Sequence, residues 1–380
     1  MRKKIMMYSS VHIWKDARIF FKEAQSLAKE YDVEFYAIGD SKEAADFEND
    51  HLKIHLLPKR SRLQRYKNWL ILLKEIRRSK ATYYHYHDPE LLLLLPFLRK
   101  KRKKHIFIYD MHENFPKAII SKNWIPKVLK PLVLKVVHPL EKNLLKKNHG
   151  VIYAEKSYKE DYSDIQSFVK ECDVYNYPYF SDIPERRTAN IKPKDTIQFV
   201  YIGRIAVVRG VWEMLHAVKE VSRISEKKIL FKLIGQCEEE LLDKIKEYIS
   251  MNELDNIVEY SPFVEYEKIW TIYQESDIGF CLLHPTPNYV GSIATKMFEY
   301  MAAGIPMIIS DFPLWKQILE ESQNGIAVDP LNEKEIQSAM NLLISDSKKR
   351  RKYAQNGQMR FQQEYNWDNE EKNCAHFIIN

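Results

Sequence analysis

A chain of 380 residues exceeds one ordinary domain and fits two. Its hydrophobic fraction of 45% and aromatic fraction of 12% are those of a globular protein, which excludes intrinsic disorder. The net charge of +7 is lopsided: residues 51–150 hold 24 Lys+Arg against 6 Asp+Glu, so this stretch should face something anionic.

Arg2, Lys3 and Lys4 imitate the start of an export signal. The apolar stretch behind them ends at Ser9 and Ser10, too short for one, so a cytoplasmic protein is expected. Residues 4–8, 33–38, 52–57, 82–87, 105–109 and 150–154 read as strands, most of them separated by helix-length stretches, the pattern of a doubly wound parallel sheet. Asp88-Pro-Glu90 marks a strand-to-helix switch in which Asp88 should cap the helix. Behind it, the longest apolar run, 91–98, is far short of the roughly 20 residues that span a bilayer. The basic residues of 57–80 and 124–147 alternate with Leu, Ile, Val and Trp. Such a surface suits an acidic membrane leaflet better than nucleic acid, the alternative being a solvated face. A polar stretch near 182–195 reads as a linker. Residues 196–202, 229–234, 257–260, 278–283, 306–310 and 325–328 then form a second strand series. The expected fold class is therefore α/β: two Rossmann-like domains, 1–185 and 195–365, facing across a cleft, with a C-terminal helix over 366–380 packing back on the first. Cys172, Cys237, Cys281 and Cys374 are scattered without a Cys-x-x-Cys pair, so no metal knuckle or disulfide framework is expected.

Two segments carry chemistry. Gly291-Ser-Ile-Ala-Thr-Lys-Met-Phe-Glu-Tyr-Met-Ala-Ala-Gly-Ile-Pro306 reads as a helix that Ser292 caps and Gly304 ends. The amides of Ile293, Ala294 and Thr295 at its start would bind an anion such as a diphosphate. Ser292, Lys296, Glu299 and Ala303 share one stripe, offering a cation near phosphate and a carboxylate for ribose hydroxyls; read structurally, Lys296 and Glu299 are a surface ion pair. Farther upstream, Gly203 turns the chain after a strand, and Arg204 and Arg209 bring permanent positive charge to a departing diphosphate.

Gly203-Arg204 with Arg209-Gly210, Ile234-Gly235, Pro262-Phe263-Val264 and the run from Lys296 to Pro306 resemble the donor domain of retaining glycosyltransferases of family 4, within the group 1 glycosyltransferases. Asp16-Ala-Arg-Ile-Phe20, Lys22-Glu-Ala-Gln-Ser-Leu27, His87-Asp-Pro-Glu-Leu91 and Tyr109-Asp-Met-His-Glu113 are similar to one branch of that family. The resemblance implies a GT-B fold, no essential metal and no cofactor beyond a nucleoside-diphosphate sugar, with UDP favoured and GDP second. It implies that Arg204 and Arg209 grip the diphosphate, Glu299 the ribose, and the amides from Ser292 to Thr295 the phosphates and sugar. Gly203 and Gly235 would let the backbone approach the donor, and Phe263 would lie beside the base. His112 would polarise a sugar hydroxyl or assist the leaving group; alternatively it is a loop histidine bonded to Asp110 or Glu113. Two departures stand out: Gly291 occupies the place of the first of two glutamates that many relatives hold eight positions apart, and Ser9, Ser10 and His12 replace a glycine pair.

The reading is a hexosyl or N-acetylhexosaminyl transfer to a glycan or polyprenyl-diphosphate-linked glycan in surface polysaccharide synthesis. Its expected partners are the nucleotide sugar, that acceptor and an anionic membrane surface met through residues 51–150 on the inner face of the cell membrane, with no nucleic acid. A sugar-nucleotide epimerase and a non-catalytic GT-B partner subunit are the competing readings. A dinucleotide-dependent dehydrogenase is disfavoured, because no Gly-x-Gly-x-x-Gly follows a strand.

Overall fold

The computed structural model describes residues 2–40, 42–121, 125–181, 183 and 195–379. The linker read near 182–195 lies largely outside them, as does the start of the basic segment read from residue 124. The chain divides into two compact units, Met1–Asn176 with Trp367–Asn380, and Tyr177–Asn366.

In the first unit the strands are β1 (Lys4–Ile13), β2 (Asp32–Ile38), β3 (Leu52–Leu57), β4 (Tyr83–Tyr86), β5 (Ile106–Met111), β6 (Gly150–Tyr153) and β7 (Lys170–Asp173). They form a parallel sheet in the order β3-β2-β1-β4-β5-β6-β7. Every residue of β4 and β6 is buried, as expected of strands covered on both faces. The closing helix, Trp367–Ile379, packs on this unit: the Trp367 indole donates to Ser26 Oγ at 3.0 Å, and Glu370 accepts the Tyr175 amide at 2.7 Å.

The second unit holds β8 (Thr196–Ile202), β9 (Lys228–Ile234), β10 (Val258–Ser261), β11 (Ile278–Cys281), β12 (Met307–Ser310) and β13 (Gly325–Val328) in the parallel order β10-β9-β8-β11-β12-β13. Phe199 and Phe280 stack in its core with ring centroids 5.1 Å apart. Burying each such ring stabilises the fold by roughly 1.5–3 kcal/mol.

In both sheets the strand order reverses at one point, between β1 and β4 and between β8 and β11. The carboxyl ends of strands at such a reversal are where open α/β sheets bind ligands. Ser9 to His12 and His87 to Asp88 stand there in the first unit, and Gly203 to Arg204 and His284 in the second.

Candidate functional site

In the second unit, two loops cross just beyond the strand ends. Gly203 (φ +148°) follows β8 and Gly235 (φ +145°) follows β9; a methyl group on Gly235 would sit 1.8 Å from the Gly203 carbonyl oxygen. Only glycine permits that approach and that backbone. A methyl on Gly203 would lie within 3 Å of Lys296 Nζ, so this ammonium sits directly against the loop.

Lys296 belongs to the helix Thr295–Ala303, which begins behind Ala294 and ends at Gly304. Ser292 is not its cap, as the sequence had suggested. Its hydroxyl donates to the Tyr289 carbonyl at 3.3 Å, while its own carbonyl accepts the Trp315 indole N–H at 2.6 Å, so Ser292 is tied into the preceding turn. The open amides of the helix start are therefore those of Thr295 and Lys296, which have no acceptor one turn back, whereas Ile293 and Ala294 lie in the approach to it. The Lys296 ammonium lies 4.8 Å from the centre of the Tyr201 ring. Burial lowers its pKa, partly offset by Cys281 and Glu299.

Arg209 ends a short turn, Val207–Arg209, and its guanidinium lies 5.7 Å from the Tyr289 ring centre. Burial alone would lower its pKa, but the hydroxyls of Tyr201 and Tyr289 outweigh that and raise it. Lys296 and Arg209 thus share Tyr201, placing two positive charges and a helix start beside the Gly203 turn. Arg204 points elsewhere: it is largely exposed and its guanidinium lies 3.2 Å from Glu238. Glu299 accepts the Tyr273 hydroxyl at 2.7 Å, so it is no surface ion pair with Lys296. Phe263 stands 71% exposed beyond β10. Sequence reasoning passed over Tyr201, Tyr289 and the pair His284–Glu213, 2.9 Å apart beyond β11. Only the position of His284 after a strand could have signalled that pair. A cavity of about 670 Å³ opens beside β13, lined by Lys316, Lys349 and Tyr353 among others, and includes none of these residues.

In the first unit, Asp88 does not cap the following helix with its side chain. Its Oδ2 accepts the Ser9 hydroxyl at 2.8 Å and the Ser10 amide at 2.5 Å, folding the end of β1 onto β4. Beneath lies a buried cluster. Arg18 reaches Glu23 at 2.8 Å and both Asp110 oxygens at 3.2 Å, and His85 lies 3.6 Å from Asp110. His112, just after β5, places Nε2 3.4 Å from Asp110 and 3.2 Å from His87 Nδ1. Burial would raise the Asp110 carboxyl, but Arg18 and His112 outweigh it and hold it well below the usual range. Glu23 is pushed up by burial first and then by Asp110, with Arg18 opposing the rise. His87 and His112 are both lowered, chiefly by burial. Arg18 and Glu23 fall within the motifs quoted above, but their sequence separation from Asp110 hid the cluster. Glu23, His85, His87 and Asp110 have a spacing that could hold a metal ion. The Arg18 guanidinium already occupies both carboxylates, and a divalent cation would meet that fixed positive charge, so the cluster fits a proton-sharing network better.

Residues 182–360 match the family model of the glycosyl transferases of group 1. The uncharacterized glycosyltransferase MJ1069 of Methanocaldococcus jannaschii is 22% identical over 232 residues, 60% of this chain and 57% of that protein. The match thus spans little more than half the relative's length. Sucrose-phosphate synthase from Thermosynechococcus elongatus superposes with a TM-score of 0.74 at 14% identity, covering 99% of this chain and 98% of that one. Anabaena Alr3699/HepE, solved in complex with UDP, gives 0.69 at 15% identity, covering 99% of each. The fold is GT-B.

Proposed function

We infer that the chain is a retaining glycosyltransferase of family 4 that moves a hexose or N-acetylhexosamine from a nucleoside-diphosphate sugar, UDP first and GDP second. The carrying observation is the convergence of Lys296, Arg209 and the start of helix Thr295–Ala303 on the Gly203 turn. Two cations and open amides are what a diphosphate needs, both when bound and when it departs with an extra negative charge. Glu299 receives the ribose hydroxyls and exposed Phe263 stacks on the base. Arg204 swings from Glu238 to the diphosphate; an exposed ion pair of this kind holds it weakly.

In the transfer, the bond between the anomeric carbon and the phosphate oxygen breaks while an acceptor oxygen bonds to that carbon on the same face. The acceptor proton passes to the departing phosphate oxygen, so neither a metal nor a further cofactor is required. His112, oriented by Asp110 and His87, acts on the donor sugar. The acceptor is a glycan or polyprenyl-diphosphate-linked glycan of surface polysaccharide synthesis, met in the cytoplasm at the inner face of the cell membrane, with residues 51–150 toward its anionic lipids.

A panel of nucleotide sugars screened for thermal stabilisation, followed by nucleotide release with and without acceptor, tests this reading. A transferase is stabilised by one donor and releases nucleotide rapidly only when acceptor is present. Nucleotide release or epimerised donor without acceptor would assign an epimerase, and indifference to every donor would assign a partner subunit.

A further inference from the structure

The last strand of the second sheet, β13, has a free edge, part of which the chain leaves bare. The carbonyls of Asn324 and Val328 accept the Met307 and Asp311 amides at 3.2 and 2.9 Å, so both face β12. Successive residues of a strand turn their amide and carbonyl to opposite sides, and Gly325 and Ala327 therefore point both groups away from the sheet. On either side of these two residues, side chains stand in for the missing neighbour. The Gln323 carbonyl accepts Asn356 Nδ2 at 2.9 Å, and the Asp329 amide donates to Glu335 at 2.9 Å. Among the described residues nothing does so for the amides and carbonyls of Gly325 and Ala327, which line the cavity of about 670 Å³ beside β13.

The helices Pro313–Ser322 and Ser347–Gln363 form the walls of that cavity. Lys316 lines it from the first, and Lys348, Lys349 and Lys352 from the second. Against them stand the carboxylates of Glu320 and Asp346, and Asp346 is committed to the start of its helix, where it accepts the Lys349 amide at 2.8 Å. Among the described residues none of the four lysines is in an ion pair, so the cavity is left positive. Proteins ordinarily blunt an open edge with charge or proline on the strand itself, and Gly325-Ile-Ala-Val328 carries neither. The charge stands on the flanking helices instead, where it surrounds the edge without obstructing it.

We propose that this edge docks an extended acidic peptide segment of a partner protein, which joins the second sheet as a further strand beside β13. Two features choose that occupant. A small anion would satisfy the outward amides and the lysines but set its negative charge against the Gly325 and Ala327 carbonyls, whereas a peptide strand supplies donors and acceptors alike. A second copy pairing edge to edge would bring one set of lysines against the other. Acidic side chains of the incoming strand meet the lysines, and its remaining side chains lie on Leu319 and Tyr353. The cavity includes neither Lys296 nor Arg209, so the inference stands apart from the donor-site reading.

The test titrates the full chain into the fluorescein-labelled, end-capped peptide Glu-Thr-Glu-Val-Glu-Thr-Glu and reads polarisation. Saturable binding that weakens as salt rises is expected, together with slowed hydrogen exchange over residues 323–329. The same peptide N-methylated at its three central amides keeps its charge and loses its strand-pairing donors, so it should bind at least about tenfold more weakly. Ala327→Pro removes one outward amide at a place where edge strands tolerate proline, and should weaken binding about tenfold. The double variant Lys348→Glu/Lys352→Glu reverses two exposed charges, and should do the same with melting temperature unchanged, which decides the matter even where proline unsettles the strand. Failure to bind the parent peptide at low salt, a methylated peptide that binds like the parent, or a charge variant that binds like the wild type would overturn the proposal. So would inorganic pyrophosphate that slows exchange over residues 323–329 as the peptide does, or a dimer in solution that Ala327→Pro dissociates.

Discussion

Lys296→Met separates the cost of the donor site from its benefit. The ammonium is part-buried against the Gly203 turn and the Tyr201 ring, and among the described residues it has no ion-pair partner, because Glu299 is bonded to Tyr273. Burial without a partner disfavours the charge, which is why its pKa is lowered. Methionine keeps the length and apolar stem, so the unliganded chain should gain up to about 1 kcal/mol, discounted for the solvent the ammonium still reaches. That corresponds to a rise of about 2–4 °C in melting temperature for a unit of this size. Donor binding should move the other way. A charge-assisted hydrogen bond to phosphate is worth about 1.5–3 kcal/mol, or roughly ten- to hundredfold in Kd. Calorimetric titration with UDP, beside a melting curve without ligand, reads both quantities. Wild-type UDP affinity in the variant would refute the assignment of Lys296 to the diphosphate.

Glu141→Gln should change the pH profile of stability. Burial raises this carboxyl to about 7 from an ordinary value near 4.5, so its contribution is fully present below pH 4.5 and is lost as pH rises through 7, by about 3 kcal/mol if the whole shift acts. The variant should lack that decline in denaturant titrations between pH 4.5 and 7.5, and an identical slope would contradict it. Asp110→Asn should cost about 3 kcal/mol, the low end for breaking a buried pair, because Glu23 remains 2.8 Å from Arg18; urea midpoints measure it. Gly235→Ala forces a methyl group onto the Gly203 carbonyl, so loss of UDP binding with a lowered melting temperature is expected, and undisturbed binding would show the loops are not in register. His112→Ala should leave UDP affinity within about twofold while turnover falls at least about a hundredfold, the usual scale of a positioned acid or base.

The alternation of strand and helix was legible because parallel strands buried on both faces read as apolar runs, as in Met307-Ile-Ile-Ser310. β7 was not, because Lys170-Glu-Cys-Asp173 forms a polar edge strand whose only signal is its pairing with β6. Local rules also failed at two caps. Ser292 and Asp88 have the right chemistry for helix starts, but Tyr289 and Trp315 engage one and the end of β1 the other. The Arg18–Asp110 contact joins residues 92 apart, beyond the reach of any window. Arg209 and Lys296 stood out by charge and position, yet the tyrosine between them emerges only from the packing of β8 against the helix Thr295–Ala303.

The most direct measurement is a crystal structure of the chain soaked with UDP. The account predicts the β-phosphate oxygens within about 3 Å of the Arg209 guanidinium, the Lys296 ammonium and the Thr295 amide, with the uracil against Phe263. UDP ordered elsewhere on the second unit, with Lys296 and Arg209 untouched, would contradict it.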